Sequence, residues 1–242
     1  MELISITPKN FWKEMYKTKH VMLLAHLAED EEYVRLAKSH PECYKICDNS
    51  IIEMGETFTI EKEFEAAEKL EAQELILPDG YPSGKKTQNL VLEAIDWLKN
   101  NNKLGRFKLM AVVHGQNVEE WLETFNLFNS IKEIDVLGIP KVLQTWLSTK
   151  NRLELAEIFT KTDKEIHLLG EWYNLQNIVD IVNSKYGDKI RSCDTCLPAL
   201  EAIQNKHIWE DREGTIILHE EYPELTKEKY DKVLKEYYEN IR

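Results

Sequence analysis

The sequence has no long apolar run of the kind that crosses a membrane. Its longest uninterrupted apolar stretches are short and strand-like, as in Val21 to Ala25, whereas a membrane-spanning helix needs roughly 20 apolar residues. The segment Met1 to Ser5 shows no basic region followed by a long apolar core, and a secretory signal would contain both. We therefore expect a cytoplasmic protein that does not bind a membrane.

Positive charge is also scarce. Lys and Arg total 31 against 43 Asp and Glu, which gives a formal net charge of −12. This balance argues against broad attraction to nucleic acid, because non-specific affinity comes from neutralising phosphates with Lys and Arg. It leaves room for a local basic rim, for which Lys85, Lys86, the segment 103–108 and Arg191 are candidates.

The chain has only four cysteines, which fall in two close pairs, Cys43 with Cys47 and Cys193 with Cys196. Four thiols are enough for a tetrahedral zinc site. Both pairs, however, flank or lie within predicted strands, and unpaired cysteine packs like a small apolar side chain. We therefore predict buried, reduced thiols, no metal site and no cofactor.

No linker rich in Gly, Ser or Pro, no low-complexity segment and no internal repeat divides the chain. A chain of 242 residues with 43% hydrophobic residues can bury one sizeable core. We predict a single domain over residues 1–242, closed by a C-terminal helix over 226–241. Neither a G-x-G-x-x-G nor a G-x-x-x-x-G-K-[ST] pattern follows the first predicted strand, so the usual nucleotide-binding signals are missing.

Short apolar runs alternate with amphipathic stretches at intervals of roughly 30 residues, which is typical of repeated β/α units. Eight such units in this length close a barrel more naturally than they fill an open sheet. We predict an eight-stranded (β/α) TIM barrel, with an open doubly wound sheet as the alternative. The predicted strands are Val21 to Leu27, Tyr44 to Asp48, Glu74 to Asp79, Phe107 to His114, Glu133 to Ile139, Glu165 to Gly170, Lys189 to Asp194 and Gly214 to His219. The predicted helices before the C-terminal one are Asp30 to Lys38, Ile60 to Leu70, Thr87 to Asn100, Val118 to Asn129, Lys141 to Ile158, Leu175 to Lys185 and Leu197 to His207.

Three aspartates, Asp48, Asp79 and Asp194, lie at or just past the C-terminal ends of predicted strands. That end of a β/α barrel carries the chemistry, because the strand fixes the backbone while the loop leaves the side chain in a cleft. Two carboxyl groups across a sugar can divide glycosidic bond exchange between a nucleophile and a proton donor. A single such aspartate more often caps the next helix, but three on one rim indicate a site.

Six short segments follow one another in the order found in a known family. They are Cys47-Asp48-Asn49-Ser50 with Glu53-Met54-Gly55, Leu77 to Pro82 with Thr87, Met110 to Gly115, Leu137 to Pro140, His167 to Gly170, and Ser192 to Thr195. Together they resemble the queuine-type tRNA-guanine transglycosylase superfamily. The first segment is most similar to the phage and bacterial branch that puts 7-deazaguanine bases into DNA. The resemblance covers roughly Val21 to Pro198 and implies a catalytic barrel, in the host cytoplasm if a phage encodes it.

The resemblance implies a role for each aspartate. Asp194 would be the nucleophile that displaces guanine and holds the sugar covalently, and Asp48 would be the general acid/base. Asp79 would accept hydrogen bonds from the N1–H and the exocyclic amine of a guanine-like base, as an ionised carboxylate does well.

Further residues would line the base pocket. The Gly138 backbone would approach the base carbonyl, and Leu169 with Gly170 would form an apolar floor. His114, followed by Gly115, stands where the tRNA enzymes commonly have Gln, and it can still donate one hydrogen bond.

Two departures from the family pattern bear on the substrate. The stretch Ser50-Ile51-Ile52 lacks the aromatic residue that stacks on the base in the tRNA enzymes, so Tyr81 or Trp172 would have to supply that face from another loop. The zinc-binding cluster expected after the nucleophile is missing, since Cys196 is a single cysteine followed by Leu-Pro. That cluster helps hold tRNA, so its loss favours DNA as the acceptor, and the acidic charge favours a partner protein.

The sequence-based hypothesis is therefore a pentosyltransferase that exchanges guanine for a 7-deazaguanine base, such as 7-cyano-7-deazaguanine, in DNA. The alternatives are a tRNA-guanine transglycosylase, a non-catalytic deazaguanine-binding protein, and an N-glycosidase acting on a nucleoside or nucleotide. The sequence does not settle the oligomeric state.

Overall fold

The protein has the eight-stranded (β/α) barrel fold that the sequence predicts. The structure, a computed structural model, describes residues 1–141, 157–170, 174–185, 187–210, 216–217 and 219–241. The strands are β1 Glu2–Ser5, β2 His20–Leu24, β3 Tyr44–Asp48, β4 Glu74–Ile76, β5 Lys108–Val112, β6 Val136–Pro140, β7 Glu165–Leu169 and β8 Ile190–Thr195. They pair side by side in the order β1-β8-β7-β6-β5-β4-β3-β2. The pairs β1–β8, β3–β4, β4–β5 and β5–β6 are parallel.

Helices occupy most of the predicted positions between the strands. The described α-helices are α1 Glu31–Ser39, α2 Ile51–Met54, α3 Ile60–Lys69, α4 Gly84–Asn100, α5 Val118–Ser130, α6 Leu175–Val182, α7 Leu197–Gln204 and α8 Lys227–Asn240. Shorter 3-10 segments cover Lys9–Lys17, Ala25–Leu27, Glu157–Lys161 and Gly187–Lys189. Most of the helix predicted over Lys141 to Ile158 lies outside the described residues. No helix in the described part of the chain is long and apolar enough to span a bilayer.

Side-chain caps explain where five of the described helices begin. Asp30 accepts hydrogen bonds from the backbone N–H groups of Glu32 and Tyr33 at the start of α1. One backbone N–H is accepted in the same way at the start of α4, α5, α6 and α8 by Ser83, Asn117, Asn174 and Thr226, respectively. Each cap satisfies N–H groups that have no partner within the helix. Helix α5 begins at Val118 as predicted, whereas α4 begins three residues before the predicted Thr87.

The described residues of one predicted strand do not lie in the sheet, which contains another strand that the sequence did not predict. In the predicted strand Gly214 to His219, the described residues 216, 217 and 219 are not extended in a sheet, and the rest of the segment lies outside the described residues. The eighth strand is instead β1, at the N-terminus, which pairs with β8 from Glu2 opposite Ser192 to Ser5 opposite Thr195. Its central Leu3 and Ile4 are fully buried, so the pairing is supported by core packing.

The contacts group the chain into two compact units. The first unit contains Met1–Val21, Lys141–Asp163 and Leu168–Arg242, and the second contains Met22–Pro140 and Lys164–His167. The first unit therefore holds β1, β8 and α8, the second holds β3 to β6 with their helices, and β2 and β7 each have residues in both. That residues 1–242 form one domain remains a prediction.

Each unit has its own aromatic core. In the second unit, Trp121, Phe125 and Phe128 lie on one side of α5 and are fully buried, as their helical spacing predicts. In the first unit, Tyr230 and Tyr237 of α8 are also fully buried. Their hydroxyl groups donate to Ser5 Oγ at 2.8 Å and Glu201 Oε1 at 2.9 Å, which satisfies the polar ends of two large buried side chains.

Candidate functional site

Asp48 lies at the last position of β3, in the second unit. Its Oδ1 accepts a hydrogen bond from the backbone N–H of Ser50 at 2.7 Å, and its side chain is partly exposed. Ser50 has φ +60°, a left-handed conformation that is uncommon outside glycine. The turn therefore keeps a carboxyl group at the strand end and within reach of solvent, as an acid/base residue requires.

Asn49 joins the ends of β3 and β4. Its Nδ2 donates to Leu77 O at 3.0 Å and to Asp79 Oδ2 at 2.9 Å, and the amide is buried. Its Oδ1 accepts from Ile51 N at 3.2 Å. Sequence reasoning quoted Asn49 as part of a motif but did not assign it a role. Its position directly after Asp48 is the sequence feature that could have indicated a role in the site.

Asp79 is a buried carboxylate with two well-formed hydrogen bonds. It is 2% exposed, and besides the Asn49 bond its Oδ1 accepts from Tyr81 N at 3.0 Å. A carboxylate offers about four acceptor positions, so these bonds occupy about one on each oxygen. Since His114 Nε2 also lies 3.1 Å from Oδ1, the acceptor position left for a further N–H donor is on Oδ2.

His114, another residue of the predicted base pocket, lies beside Asp79. Its Nε2 is 3.1 Å from Asp79 Oδ1, within ion-pair distance, although the N–H is not aligned for a hydrogen bond. The residue is 4% exposed, and neither ring nitrogen has a hydrogen-bond partner among the described residues. A buried polar group without a partner is unfavourable, and this one marks a position where a ligand atom would be stabilised.

The surroundings of Asp79 favour its ionised form. Burial raises the pKa of a carboxyl group, but His114, Asn49 and the Tyr81 N–H outweigh that effect and lower the pKa of Asp79 below its ordinary value of 3.8. At neutral pH, Asp79 is therefore a charged acceptor in a site closed to water, where its interactions with donors are strong.

Tyr81 is the aromatic residue that the structure places at this site. Its ring packs edge-to-face on the His114 ring, with centroids 5.4 Å apart and planes at 68°, and the residue is 41% exposed. Trp172, the other candidate stacking residue, lies outside the described residues.

The two predicted pocket glycines of the second unit lie in tightly packed backbone. A Cβ on Gly115 would come within 2.4 Å of the backbone nitrogen of Trp121 at the start of α5. Gly138 is buried in β6 opposite Val112, and its carbonyl accepts from Val113 N at 2.9 Å. The first glycine is thus required by packing whether or not it also contacts a ligand.

Asp194, Leu169 and Gly170 belong to the first unit. Asp194 is 5% exposed in β8, and its Oδ1 accepts a hydrogen bond from the backbone N–H of Gly170 at 2.9 Å. Gly170 has φ +63°, and Leu169 O accepts from Lys141 N at 3.0 Å. The bond from Gly170 holds the Asp194 carboxylate in one orientation and brings these predicted residues together at the ends of β7 and β8.

Glu63 on α3 is a buried carboxyl group that sequence reasoning missed. It is fully buried, its Oε1 accepts from the Thr57 hydroxyl at 2.9 Å, and its Oε2 has no hydrogen-bond partner among the described residues. Burial raises its pKa well above the ordinary value, and Asp79 and Asp48 raise it further. Glu63 follows the buried Ile60 by three residues, and this helical spacing could have indicated that Glu63 is buried too.

The cysteines are buried and unpaired, as predicted. All four are free thiols inside the protein. Burial raises the pKa of Cys47 well above its usual range, with Glu63 and Asp48 adding to the effect. Within the described ranges, no group of three or more His, Cys, Asp or Glu side chains is arranged to hold a metal ion.

Comparison with known proteins identifies the fold but not a family. No protein-family model and no curated protein matches this chain. The YdjI aldolase from Escherichia coli K12 is similar in structure, with a TM-score of 0.54 at 11% identity over 99% of this chain and 88% of the aldolase. A dihydrodipicolinate synthase from Agrobacterium tumefaciens gives a TM-score of 0.50 at 12% identity over 99% of this chain and 97% of the synthase. Both similar proteins are barrel enzymes, but identities this low show the fold alone, so function must be argued from the site.

Proposed function

We propose that the protein is a pentosyltransferase that exchanges guanine in DNA for a 7-deazaguanine base, such as 7-cyano-7-deazaguanine. The observation that carries this proposal is the hydrogen bond from Asn49 Nδ2 to Asp79 Oδ2. It joins the residue next to Asp48 to a buried, ionised carboxylate, and an ionised carboxylate accepts hydrogen bonds from N–H donors. Guanine and its 7-deaza analogues present two such donors in the N1–H and the 2-amino group.

The resemblance implies that the exchange uses three carboxyl groups in two steps. In the first, the Asp194 carboxylate bonds to the sugar C1′ as the bond from C1′ to the base nitrogen breaks, and protonated Asp48 gives its proton to the departing guanine. In the second, Asp48 takes the proton from the incoming base, whose nitrogen bonds to C1′ as Asp194 leaves. This is covalent catalysis with one acid/base residue in both steps, while Asp79 holds each base in turn.

The resemblance in the segments around Asp48, Asp79 and Asp194 supports the reaction, and the missing zinc-binding cluster supports DNA over tRNA. The site offers the same chemistry to either polymer, so the acceptor must be tested directly. Reaching a guanine in duplex DNA requires turning it out of the stack, at a cost of a few kcal/mol. Single-stranded DNA should therefore be the better acceptor for the protein alone.

The test is incorporation of radiolabelled guanine or 7-cyano-7-deazaguanine into duplex DNA, single-stranded DNA and bulk tRNA, each assayed separately. We expect label in DNA, and a loss of at least about 10³-fold in Asp194→Asn, because that variant lacks the nucleophile. The matched control is Asp188→Asn, which changes an exposed aspartate six residues earlier and should retain full activity.

Other outcomes would assign a different function. Full exchange in Asp194→Asn would contradict the covalent mechanism, and label in tRNA alone would make the protein a tRNA-guanine transglycosylase. Release of free base without incorporation would indicate an N-glycosidase. Tight binding of the free base with no exchange in any polymer, even with cell extract added, would indicate a binding protein.

A further inference from the structure

The position of the His114 ring depends on its backbone. Neither ring nitrogen has a hydrogen-bond partner among the described residues, so no hydrogen bond of the side chain fixes the ring beside Asp79. The backbone N–H of His114 donates to Val112 O, at the end of β5, at 3.1 Å. Whatever holds the chain on the other side of His114 therefore also decides how far the ring lies from the Asp79 carboxylate.

Glu120 on α5 holds the chain on that other side. Its Oε2 accepts a hydrogen bond from the backbone N–H of Gln116, two residues after His114, at 2.7 Å. Its own backbone N–H donates to Asn117 Oδ1 at 2.9 Å. These reciprocal bonds are similar to a capping box, which fixes the chain where it enters a helix.

The other carboxylate oxygen of Glu120 holds the start of α4. Glu120 Oε1 accepts from the backbone N–H of Lys85 at 2.9 Å, and the Ser83 hydroxyl lies 3.5 Å from the same oxygen. Ser83 and Lys85 follow the loop that carries Asp79. One carboxylate therefore joins the chain after Asp79 to the chain after His114.

The surroundings of Glu120 keep its carboxyl group ionised. Hydrogen bonds from the backbone N–H groups of Gln116 and Lys85 lower the pKa of Glu120 below its ordinary value of 4.5. The carboxylate also lies at the N-terminal ends of both α4 and α5, where the helix dipoles favour a negative charge. A neutral side chain at this position would hold the two loops together less firmly.

Helices α4 and α5 are in close contact beside this carboxylate. A Cβ on Gly84 would come within 2.6 Å of His114 O and 2.5 Å of Thr124 Oγ1. One turn further along α4, Gln88 Nε2 donates to Thr124 Oγ1 at 3.0 Å. While the Glu120 bonds are in place, the chain at residue 114 therefore has little space in which to shift.

We propose that Glu120 is a positioning residue of the base site, which keeps the His114 ring beside Asp79 by joining the two loops that carry them. This inference rests on the proposed function for the identity of the base. Glu120 acts through His114 and takes part in no chemical step. Its loss should therefore weaken binding of the base and leave the steps at the sugar C1′ unaltered.

The test is the dissociation constant of free 7-cyano-7-deazaguanine and of free guanine, measured by calorimetry without any polymer. Glu120→Gln should weaken binding of both bases about 10-fold, the effect of losing one hydrogen bond to a charged group. In the exchange assay, the KM for the free base should rise by the same factor while kcat stays within about 2-fold, since Asp48 and Asp194 are unaltered. The matched control is Glu119→Gln, which changes the neighbouring exposed glutamate and should bind both bases within about 2-fold of the unmodified protein.

A second variant separates positioning from helix stability. Glu120→Asp keeps the negative charge in the first turn of α5, but its shorter side chain cannot reach the N–H groups of Gln116 and Lys85 together. Its base affinity should fall as in Glu120→Gln, while urea unfolding should show a free energy of unfolding close to that of the unmodified protein.

A double-mutant cycle shows whether Glu120 acts through His114. In His114→Ala the ring that Glu120 positions is absent. Adding Glu120→Gln to that variant should change the base affinity by less than about 2-fold, because two residues that act as one unit do not have additive effects.

The outcomes for the positioning role and for the proposed function can be told apart. Unaltered base affinity in Glu120→Gln and Glu120→Asp, or an equal loss with and without the His114 ring, would overturn the positioning role even if the protein exchanges bases in DNA. Base binding with the expected Glu120 effects, but without exchange in any polymer, would keep the positioning role and overturn the enzymatic proposal. A protein that binds neither base would overturn both.

Discussion

At the scale of single residues, Glu63 shows how burial sets the charge of the site. Its carboxyl group is fully buried near Asp48 and Asp79, and its raised pKa keeps it protonated where an exposed glutamate would be ionised. A third negative charge in this cluster would repel the other two. The neutral form of Glu63 therefore helps Asp79 to remain ionised.

Glu63→Gln should stabilise the protein increasingly as pH rises. Between the ordinary carboxyl pKa of 4.5 and the higher pKa of folded Glu63, the folded state keeps a proton that the unfolded state has lost. The unfolded state then binds fewer protons, so the free energy of unfolding of the unmodified protein falls with rising pH. Glutamine does not titrate, so Glu63→Gln lacks this pH-dependent loss of stability. Urea unfolding at several pH values from 5 to about 8 would measure how the difference in free energy of unfolding between the two proteins grows.

The matched control for this prediction is Glu65→Gln, which changes an exposed glutamate on the same helix. Its effect on the free energy of unfolding should be small and nearly independent of pH. A Glu63→Gln effect that is constant across the range would show that Glu63 ionises normally in the folded protein.

Asp79→Asn should separate recognition from catalysis. The substituted amide replaces one acceptor oxygen by an NH2 donor. One of the two adjacent N–H groups of the base would then face another N–H donor and could not form a hydrogen bond. Affinity for guanine and 7-cyano-7-deazaguanine should fall by about 100-fold or more. Asp48→Asn should instead retain base binding and lose exchange, because it removes the proton donor and leaves the recognition carboxylate.

Calorimetry with the free bases and the incorporation assay together measure both variants. Unchanged base affinity in Asp79→Asn would remove this residue from the site, whatever the reaction proves to be.

At the scale of elements, the alternation of strands and helices could be predicted, but the identity of the first strand could not. Seven predicted strands overlap observed ones because continuous apolar runs are typical of buried parallel strands. Strand β1 has only four residues, with an apolar centre of Leu3 and Ile4. A segment this short does not show a recognisable strand pattern of apolar residues. Its strand conformation depends on pairing with β8, whose residues lie 190 positions later in the chain.

The candidate site was predicted to a similar extent. Asp48, Asp79 and His114 could be found because they follow strands, and the ends of neighbouring parallel strands lie on the same side of a sheet. The hydrogen bonds of Asn49 and the burial of Glu63 depend on how side chains of separate elements meet. Sequence spacing shows that Glu63 shares a helix face with Ile60, but it does not show that two carboxyl groups lie nearby.

Gly115→Ala should destabilise the second unit by about 1–3 kcal/mol, the usual cost of overpacking. The added methyl group would meet the backbone nitrogen and Cα of Trp121 at 2.4 and 2.7 Å, so the start of α5 would have to move. The matched control is Gln116→Ala at the next, exposed position, which should change the free energy of unfolding by less than about 0.5 kcal/mol. Urea unfolding of both variants measures the difference, and equal stabilities would show that α5 shifts at little cost.

At the scale of the whole molecule, the net charge of −12 limits how the protein can hold a polynucleotide. Lys85 and Lys86 at the start of α4 are exposed near the loop that carries Asp79. Two phosphate contacts are too few for firm binding to DNA.

We therefore expect the protein alone to bind duplex DNA weakly, with a dissociation constant of about 10⁻⁴ M or higher at physiological salt. The slope of log affinity against log salt concentration should be about −2 or shallower, since two cations release few counterions. Fluorescence anisotropy with labelled duplexes over a range of salt concentrations measures both values. A steep slope would reveal a basic surface formed elsewhere and would remove the need for a partner protein.

The bond between Asn49 and Asp79 has a consequence for timing. A base that draws the Asp79 carboxylate toward its own N–H groups also draws on the Asn49 amide, which is one peptide away from Asp48. Under the proposed function, occupancy of the pocket would thereby be transmitted to Asp48 through the adjoining residue, Asn49. The protein would then have a built-in interlock, in which the acid is brought into position by the arrival of the base that it is to protonate.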